Sequence, residues 1–271
     1  MDLDRKGNLS RDEADEITVR LQCATLDQIF RKARWTGRDA VFHGGTSLNM
    51  YRQSGRFSED LDFMVADASM ASLSDLARRV RNAIEPEFAS AYPNCRIEVS
   101  DRSKPGARVA KWEIKWSHPA RQGKVKVKTE FCRVPEGALG EYAKAVAAPL
   151  RDPSTGASVR SRVPIPEVRS VYADKIVALA LRPYLKHRDI YDLDFLVSTL
   201  RGRRRSGAPT SPEEAVEDIA NVASIYDADL SDIRKGLEAF VSSEAALDGS
   251  AMAEDMRRWL PTEEFEALSE V

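Results

Sequence analysis

The pattern of apolar and polar positions divides the chain into a front half of mixed strands and helices and a rear half of helices alone. Ile17, Leu21, Ile29 and Phe30 fall at helical spacing, and Ser10 with Glu13 three residues on offers a capping box, so a helix is predicted over residues 10–33. Ala40-Val41-Phe42-His43 is a short apolar run ended by Gly44-Gly45, which predicts a buried strand. A short helix over 46–51, a second strand over 61–65 and an amphipathic helix over 72–84, stopped by Pro86, follow. Three alternating runs, 96–100, 109–116 and 124–132, then predict strands, with Val125, Val127, Thr129 and Phe131 on one face of the last. Turn signals at Lys104-Pro105-Gly106 and Gln122-Gly123 separate them.

Residues 134–166 carry prolines at 135, 149, 153, 164 and 166 and read as an irregular connection. From Glu167 the pattern is helical, interrupted by Arg201-Gly202-Arg203-Arg204-Arg205 and a polar loop with Pro209 and Pro212, with later helices starting near Pro212, Leu230, Ala245 and Pro261. No solenoid-length repeat is visible. The expected fold is therefore α/β (α+β): a mixed sheet with flanking helices over residues 1–150, then an all-helical half over 151–271.

Composition narrows the class. A chain of 271 residues, 42% hydrophobic, can bury a core in one large domain or two modest ones. Lys+Arg 41 nearly balances Asp+Glu 43, which argues against coating nucleic acid through bulk charge but leaves local basic patches open. Cys23, Cys95 and Cys132 are odd in number and far apart, fitting neither a metal-ligand set nor a disulfide framework. No run approaches the ~18 apolar residues of a membrane span, and residues 1–11 hold no apolar leader. A soluble cytoplasmic protein is expected.

The candidate chemistry lies in His43-Gly44-Gly45-Thr46-Ser47-Leu48 and in Arg56-Phe57-Ser58-Glu59-Asp60-Leu61-Asp62-Phe63. Glycines between a strand and a helix let backbone approach a phosphate, the first N–H groups of the helix point at the anion, and Thr46 and Ser47 add hydroxyl donors. Asp60 and Asp62, two apart on a strand, present both carboxylates to one face, and such a pair calls for a cation. Mg²⁺, or Mn²⁺ in its stead, suits hard oxygen ligands and leaves room for phosphate. A two-metal site would clamp the attacking and leaving oxygens of phosphoryl transfer from an NTP, and Glu130 is the candidate third carboxylate. Ser58 could bind phosphate or cap a turn. His43 reads as a structural residue, and His118 and His187 have no zinc-like spacing with cysteine. Trp112 and Trp116 suit packing better than base stacking, and the basic run at 201–205 suits a solvated loop better than an RNA contact.

These motifs resemble the nucleotidyltransferase superfamily, and more narrowly the AbiEii/AbiGii-type toxin family, which includes MenT-like toxins of abortive-infection toxin–antitoxin systems. The family pattern of Gly-Gly-Ser/Thr and Arg-x-Ser-x-Asp-x-Asp is met by Gly44-Gly45-Thr46 and by residues 56–62. Its lysine helix is met by Lys175 with Arg182, and its Arg-Asp-Ile/Leu-Tyr-Asp-Leu motif by Arg188-Asp189-Ile190-Tyr191-Asp192-Leu193. The resemblance implies catalytic roles for Asp60, Asp62, Lys175, Asp189 and Asp192. It further implies nucleotide contacts from Gly44, Gly45, Thr46, Ser47, Ser58, Lys175, Arg182 and Arg188, and metal held by Asp60 and Asp62. The implied acceptor is the 3′ end of tRNA, with translation blocked as a result, and the implied partner a cognate antitoxin. A transferase acting on a protein or small molecule, and a non-catalytic NTP- or RNA-binding module, remain the alternatives.

Overall fold

The computed structural model describes residues 7–205, 212–243, 249–262 and 265–266. The chain folds into two compact units that alternate along the sequence: 1–51, 59–139 and 146–165 form the first, and 52–58, 140–145 and 166–271 the second.

The first unit runs β1 (Gly7–Asn8), α1 (Arg11–Ala33), β2 (Ala40–His43), α2 (Gly44–Arg52), β3 (Asp60–Ala66), α3 (Asp67–Met70), α4 (Leu73–Ala91), β4 (Arg96–Asp101), β5 (Val109–Ser117), β6 (Arg121–Gln122) and β7 (Val125–Val134). Its main sheet has the order β2-β3-β7-β5-β4, with β3 and β7 parallel and the remaining neighbours antiparallel, so the expected mixed sheet is present. Leu61, Phe63 and Val65 of β3 share one buried cluster with Val125, Val127 and Phe131 of β7, Trp112 and Trp116 of β5, and Leu21, Leu26 and Ile29 of α1. Both tryptophans are thus core, and Trp112 meets Phe131 edge-on at 4.5 Å. Each such large side chain contributes about 1.5–3 kcal/mol on burial.

Helix α1 starts at its predicted cap: Ser10 accepts from Glu13 N at 3.2 Å. Glu13's carboxylate instead accepts from Arg121 Nε at 2.9 Å. Helix α4 does not stop at Pro86 but continues to Ala91. An interior proline costs a helix about 3 kcal/mol. Burial of Phe88 two residues later, with Tyr92 stacked on it at 6.1 Å, offsets much of that.

The stretch expected to be irregular contains short pieces: α5 (Ala138–Glu141), β8 (Lys144–Ala147), β9 (Leu150–Arg151), β10 (Ser158–Val159) and β11 (Val163–Pro166). The second unit adds α6 (Val168–Leu181), α7 (His187–Arg205), α8 (Pro212–Ile225), α9 (Leu230–Val241) and α10 (Gly249–Met256). Helix α6 packs against α7, α8 and α9. The backbone of α7 passes through the basic run, which had been expected to break it. The side chains of residues 202–205, together with Pro209 and the expected helix start at Ala245, lie outside the described residues. No helix among the described residues is long and apolar enough to cross a membrane.

Residues 52–58 and 140–145 group with the second unit for a physical reason. Residues 52–58 bind into the second unit through Arg56 to Asp192, Tyr191 Oη to Ser54 O at 3.0 Å, and Phe57 N to Trp259 O at 2.6 Å. Residues 140–145 do so where Ser170 Oγ and Glu167 N donate to Ala143 O, at 2.8 and 3.0 Å.

Candidate active site

In the first unit the two glycines and two aspartates come together. The β2–β3 register pairs His43 with Asp62, so the turn at Gly44 lies beside the Asp62 side chain. Gly44 has φ +78°, and a Cβ there would collide with the Asp62 carboxylate and lie 3.1 Å from Asp62 Cβ. The bare backbone at this turn therefore gives Asp62 its place at the start of α2, where the first N–H groups of a helix favour negative charge. Gly45, Thr46 and Ser47 are buried in that first turn, and Thr46 Oγ1 donates to the Asp60 carbonyl. Its hydroxyl, expected to meet a phosphate, fastens α2 to β3 instead.

Asp60 and Asp62 are half-buried and share the face of β3 opposite Leu61 and Phe63. Burial and the neighbouring Asp62 push the Asp60 carboxyl above its usual range, against the pull of Lys128 and with Glu130 and Glu59 adding to the rise. Glu130 stands beside Asp62 in the β3–β7 register. Its carboxylate, however, accepts from Lys111 Nζ at 2.7 Å. Among the described residues no three His, Cys, Asp or Glu side chains form a group that could hold a metal ion. Asp60 and Asp62 are the two carboxylates that share this face of β3, with Glu130 beside Asp62 on β7. That pair fits a divalent cation: two hard oxygen donors, crowded and desolvated, each stabilised in its charged form by positive charge.

In the second unit, Lys175 on α6 meets Asp189 and Asp192 on α7. Lys175 Nζ lies 2.8 Å from Asp189 Oδ1 and 2.7 Å from Asp192 Oδ2. Arg182 pairs with the other oxygen of Asp189. The sequence had given Arg56 no role, yet it closes the far end, holding Asp192 through Nε at 2.5 Å and Nη2 at 2.6 Å. The result is a chain of alternating charge, Arg56–Asp192–Lys175–Asp189–Arg182. Burial pushes the Asp192 carboxyl up, but Lys175 and Arg56 outweigh it and hold it below the usual range. Arg182 is the outermost member, with its side chain 35% exposed.

Arg188 does not join this network. Its guanidinium lies over the Trp259 ring, 4.7 Å from the centroid, while Arg258 lies 4.3 Å from the same ring. Ser58 is half-buried at the end of the segment that Arg56 anchors.

Among solved structures, MenT4, a nucleotidyltransferase toxin from Mycobacterium tuberculosis, is similar at 18% identity and a TM-score of 0.49, over 90% of this chain and 92% of that one. JHP933 from Helicobacter pylori is similar at 18% identity and a TM-score of 0.46, over 97% of this chain and 100% of that one. No curated protein gives a match. The family described as nucleotidyl transferase AbiEii toxin, type IV toxin–antitoxin system, matches residues 33–271, and the chain belongs to that family.

Proposed function

We propose that this nucleotidyltransferase toxin moves a nucleotidyl group from an NTP to the 3′ end of tRNA and thereby blocks translation. Family membership implies an NTP substrate and an antitoxin partner. The observation that carries the chemistry is the Asp60–Asp62 pair beside the Gly44 turn, with the start of α2 at its edge. In the transfer, the terminal ribose hydroxyl oxygen forms a bond to the α-phosphorus. The bond from that phosphorus to its bridging oxygen breaks, pyrophosphate leaves with the electron pair, and the hydroxyl proton is released to water.

Asp60 and Asp62 would hold Mg²⁺ or Mn²⁺, which supplies positive charge to the triphosphate. The N–H groups opening α2, at Gly45, Thr46 and Ser47, are suited to a phosphate oxygen. Lys175, Asp189 and Arg182 form the more accessible end of the buried network, and we assign nucleotide contacts to its cations. Asp192, fully buried between Arg56 and Lys175, is assigned a positioning role. Arg188 and Ser58 are kept as further phosphate contacts.

The test is incubation with Mg²⁺, total tRNA and each α-labelled NTP, beside Asp60→Ala and Lys175→Ala. Label in tRNA with the wild type alone supports the reading and names the nucleotide. Pyrophosphate release with no label in tRNA would move the acceptor to a protein or small molecule. NTP binding with no release would make the chain a binding module.

A further inference from the structure

The face of the sheet that carries Asp60 and Asp62 does not end with them. Asp60 pairs in register with Lys128 of β7. Two and four residues back along the chain stand Lys126 and Lys124, and all three lysines are exposed. Between them Val125, Val127 and Thr129 are buried, which fixes the lysines on the opposite face. Side chains two apart on a strand are separated by ~6.6 Å, so this row spans about 13 Å.

Other cations nearby are neutralised: Lys111 pairs with Glu130 at 2.7 Å and Lys115 with Glu113 at 2.9 Å. Lys128 stands between Asp60 and Glu113 in the register, and Lys126 acts on Glu113, but among the described residues none of the three lysines closes a salt bridge. At its far end the row opens into a cleft of about 950 Å³, lined by Arg96, Ser117, His118, Arg121 and Lys124 among others, with no carboxylate in its lining. That volume is at the upper end of the ~300–1,000 Å³ typical of ligand pockets.

Regularly spaced, exposed cations on one sheet face suit a polyanion with regularly spaced charges. A protein partner would call for an apolar or aromatic anchor. None of the exposed large hydrophobic side chains among the described residues lies on these strands. We propose that Lys124 and Lys126, with the cleft beyond them, hold the backbone of a single-stranded RNA acceptor. This rests on the transferase reading above and adds where the acceptor lies and which end points inward. The transfer needs a free 3′ hydroxyl at the Asp60–Asp62 pair, so the strand runs along the lysine row with its 3′ end toward them.

The test uses a labelled single-stranded RNA oligonucleotide and fluorescence anisotropy across a salt series. Both lysines are exposed, so Lys124→Glu/Lys126→Glu should keep the wild-type melting temperature and the wild-type thermal shift with NTP and Mg²⁺. Its RNA affinity should fall at least tenfold at low salt. The log–log salt slope should shrink by about 1.4, the loss of two single-strand phosphate contacts at ~0.7 each. Unchanged RNA affinity in the folded double variant would overturn the proposal. So would wild-type protein that binds polyglutamate more tightly than RNA, which would make the row a docking face for an acidic protein. If RNA binding depends on the lysines but the wild type shows no response to NTP, the surface stands and the transferase reading fails.

Discussion

Arg56 and Asp192 stand 136 positions apart in the chain and meet in a bidentate ion pair with side chains 2% and 0% exposed. The pair ties the loop ahead of the aspartate motif to the middle of α7, a contact that sequence spacing cannot express. Removing one partner of a buried pair leaves the other charged and desolvated, at a cost of about 3–5 kcal/mol. Arg56→Ala should lose stability of that order in urea unfolding. Arg56→Lys should lose less but not recover the wild type, because an ammonium cannot reproduce the two-pronged guanidinium contact. A full recovery by lysine would show that the fork geometry is dispensable.

The same pair predicts a pH dependence. Asp192's folded carboxyl titrates below its ordinary value, so its contribution to stability is complete above about 3.8 and is lost as pH falls through the depressed value. Asp192→Asn should therefore be less stable than the wild type at neutral pH, since Arg56 then loses its carboxylate and Lys175 keeps only Asp189. The gap should narrow in acid. Denaturation at a series of pH values from 7 down to 2 reads this directly, and a gap that stays constant would remove Asp192 as its source.

Much of the first unit was legible in the sequence because its signals are local. The cap at Ser10, the strand ended by Gly44-Gly45 and the alternation along β7 each depend on residues within a few positions. Asp60 and Asp62 share a face through strand geometry alone. What was not legible was pairing. The role of Glu130 turns on Lys111, a neighbour supplied by β5, and Lys128 stands beside Asp60 only through the β3–β7 register. Arg56 carried a motif position but no role, because its partner sits in a helix far along the chain. Pro86 was misleading in the other direction: a local stop signal was overridden by burial of Phe88.

Gly44 shows a correct residue with an unexpected reason. The expectation was room for a phosphate, whereas the space a Cβ would fill is taken by the Asp62 carboxylate. Gly44→Ala therefore strains a backbone at φ +78° and displaces a site carboxylate at once. Left-handed backbone costs a non-glycine residue about 1–2 kcal/mol. A Tm lowered accordingly, with a much larger loss of nucleotidyl transfer, is expected. Equal small effects on both would mean that Asp62 can move without consequence.

Gly236 makes a comparable close approach in the second unit. A Cβ there would run into the Ala180 carbonyl, so α9 and α6 touch through backbone. Overpacking of this kind costs typically about 1–3 kcal/mol. Gly236→Ala should gain a little helix propensity and still destabilise the protein in chemical denaturation. A neutral or stabilised variant would show that the two helices can part freely.

Asp60 separates stability from function. Its raised pKa means that the folded protein binds the proton more tightly than the unfolded chain does. Below about 3.8 both states are protonated and the carboxyl costs nothing; the penalty grows as pH rises and is complete above the raised folded value. Asp60→Asn keeps the shape and removes the charge, so it should be more stable than the wild type at pH 7 without divalent cation. That advantage should vanish below about 3.8. Added Mg²⁺ should stabilise the wild type and leave the variant unchanged, since the carboxylate pair is what attracts the cation. Transfer activity should fall by roughly 10²–10³-fold, the loss expected when several kcal/mol of charge stabilisation disappears. Thermal melts across pH, with and without Mg²⁺, measure all but the last of these. A variant less stable than the wild type at pH 7 would mean that the Asp60 carboxylate is held by favourable contacts, and the crowded pair would then be no cation site.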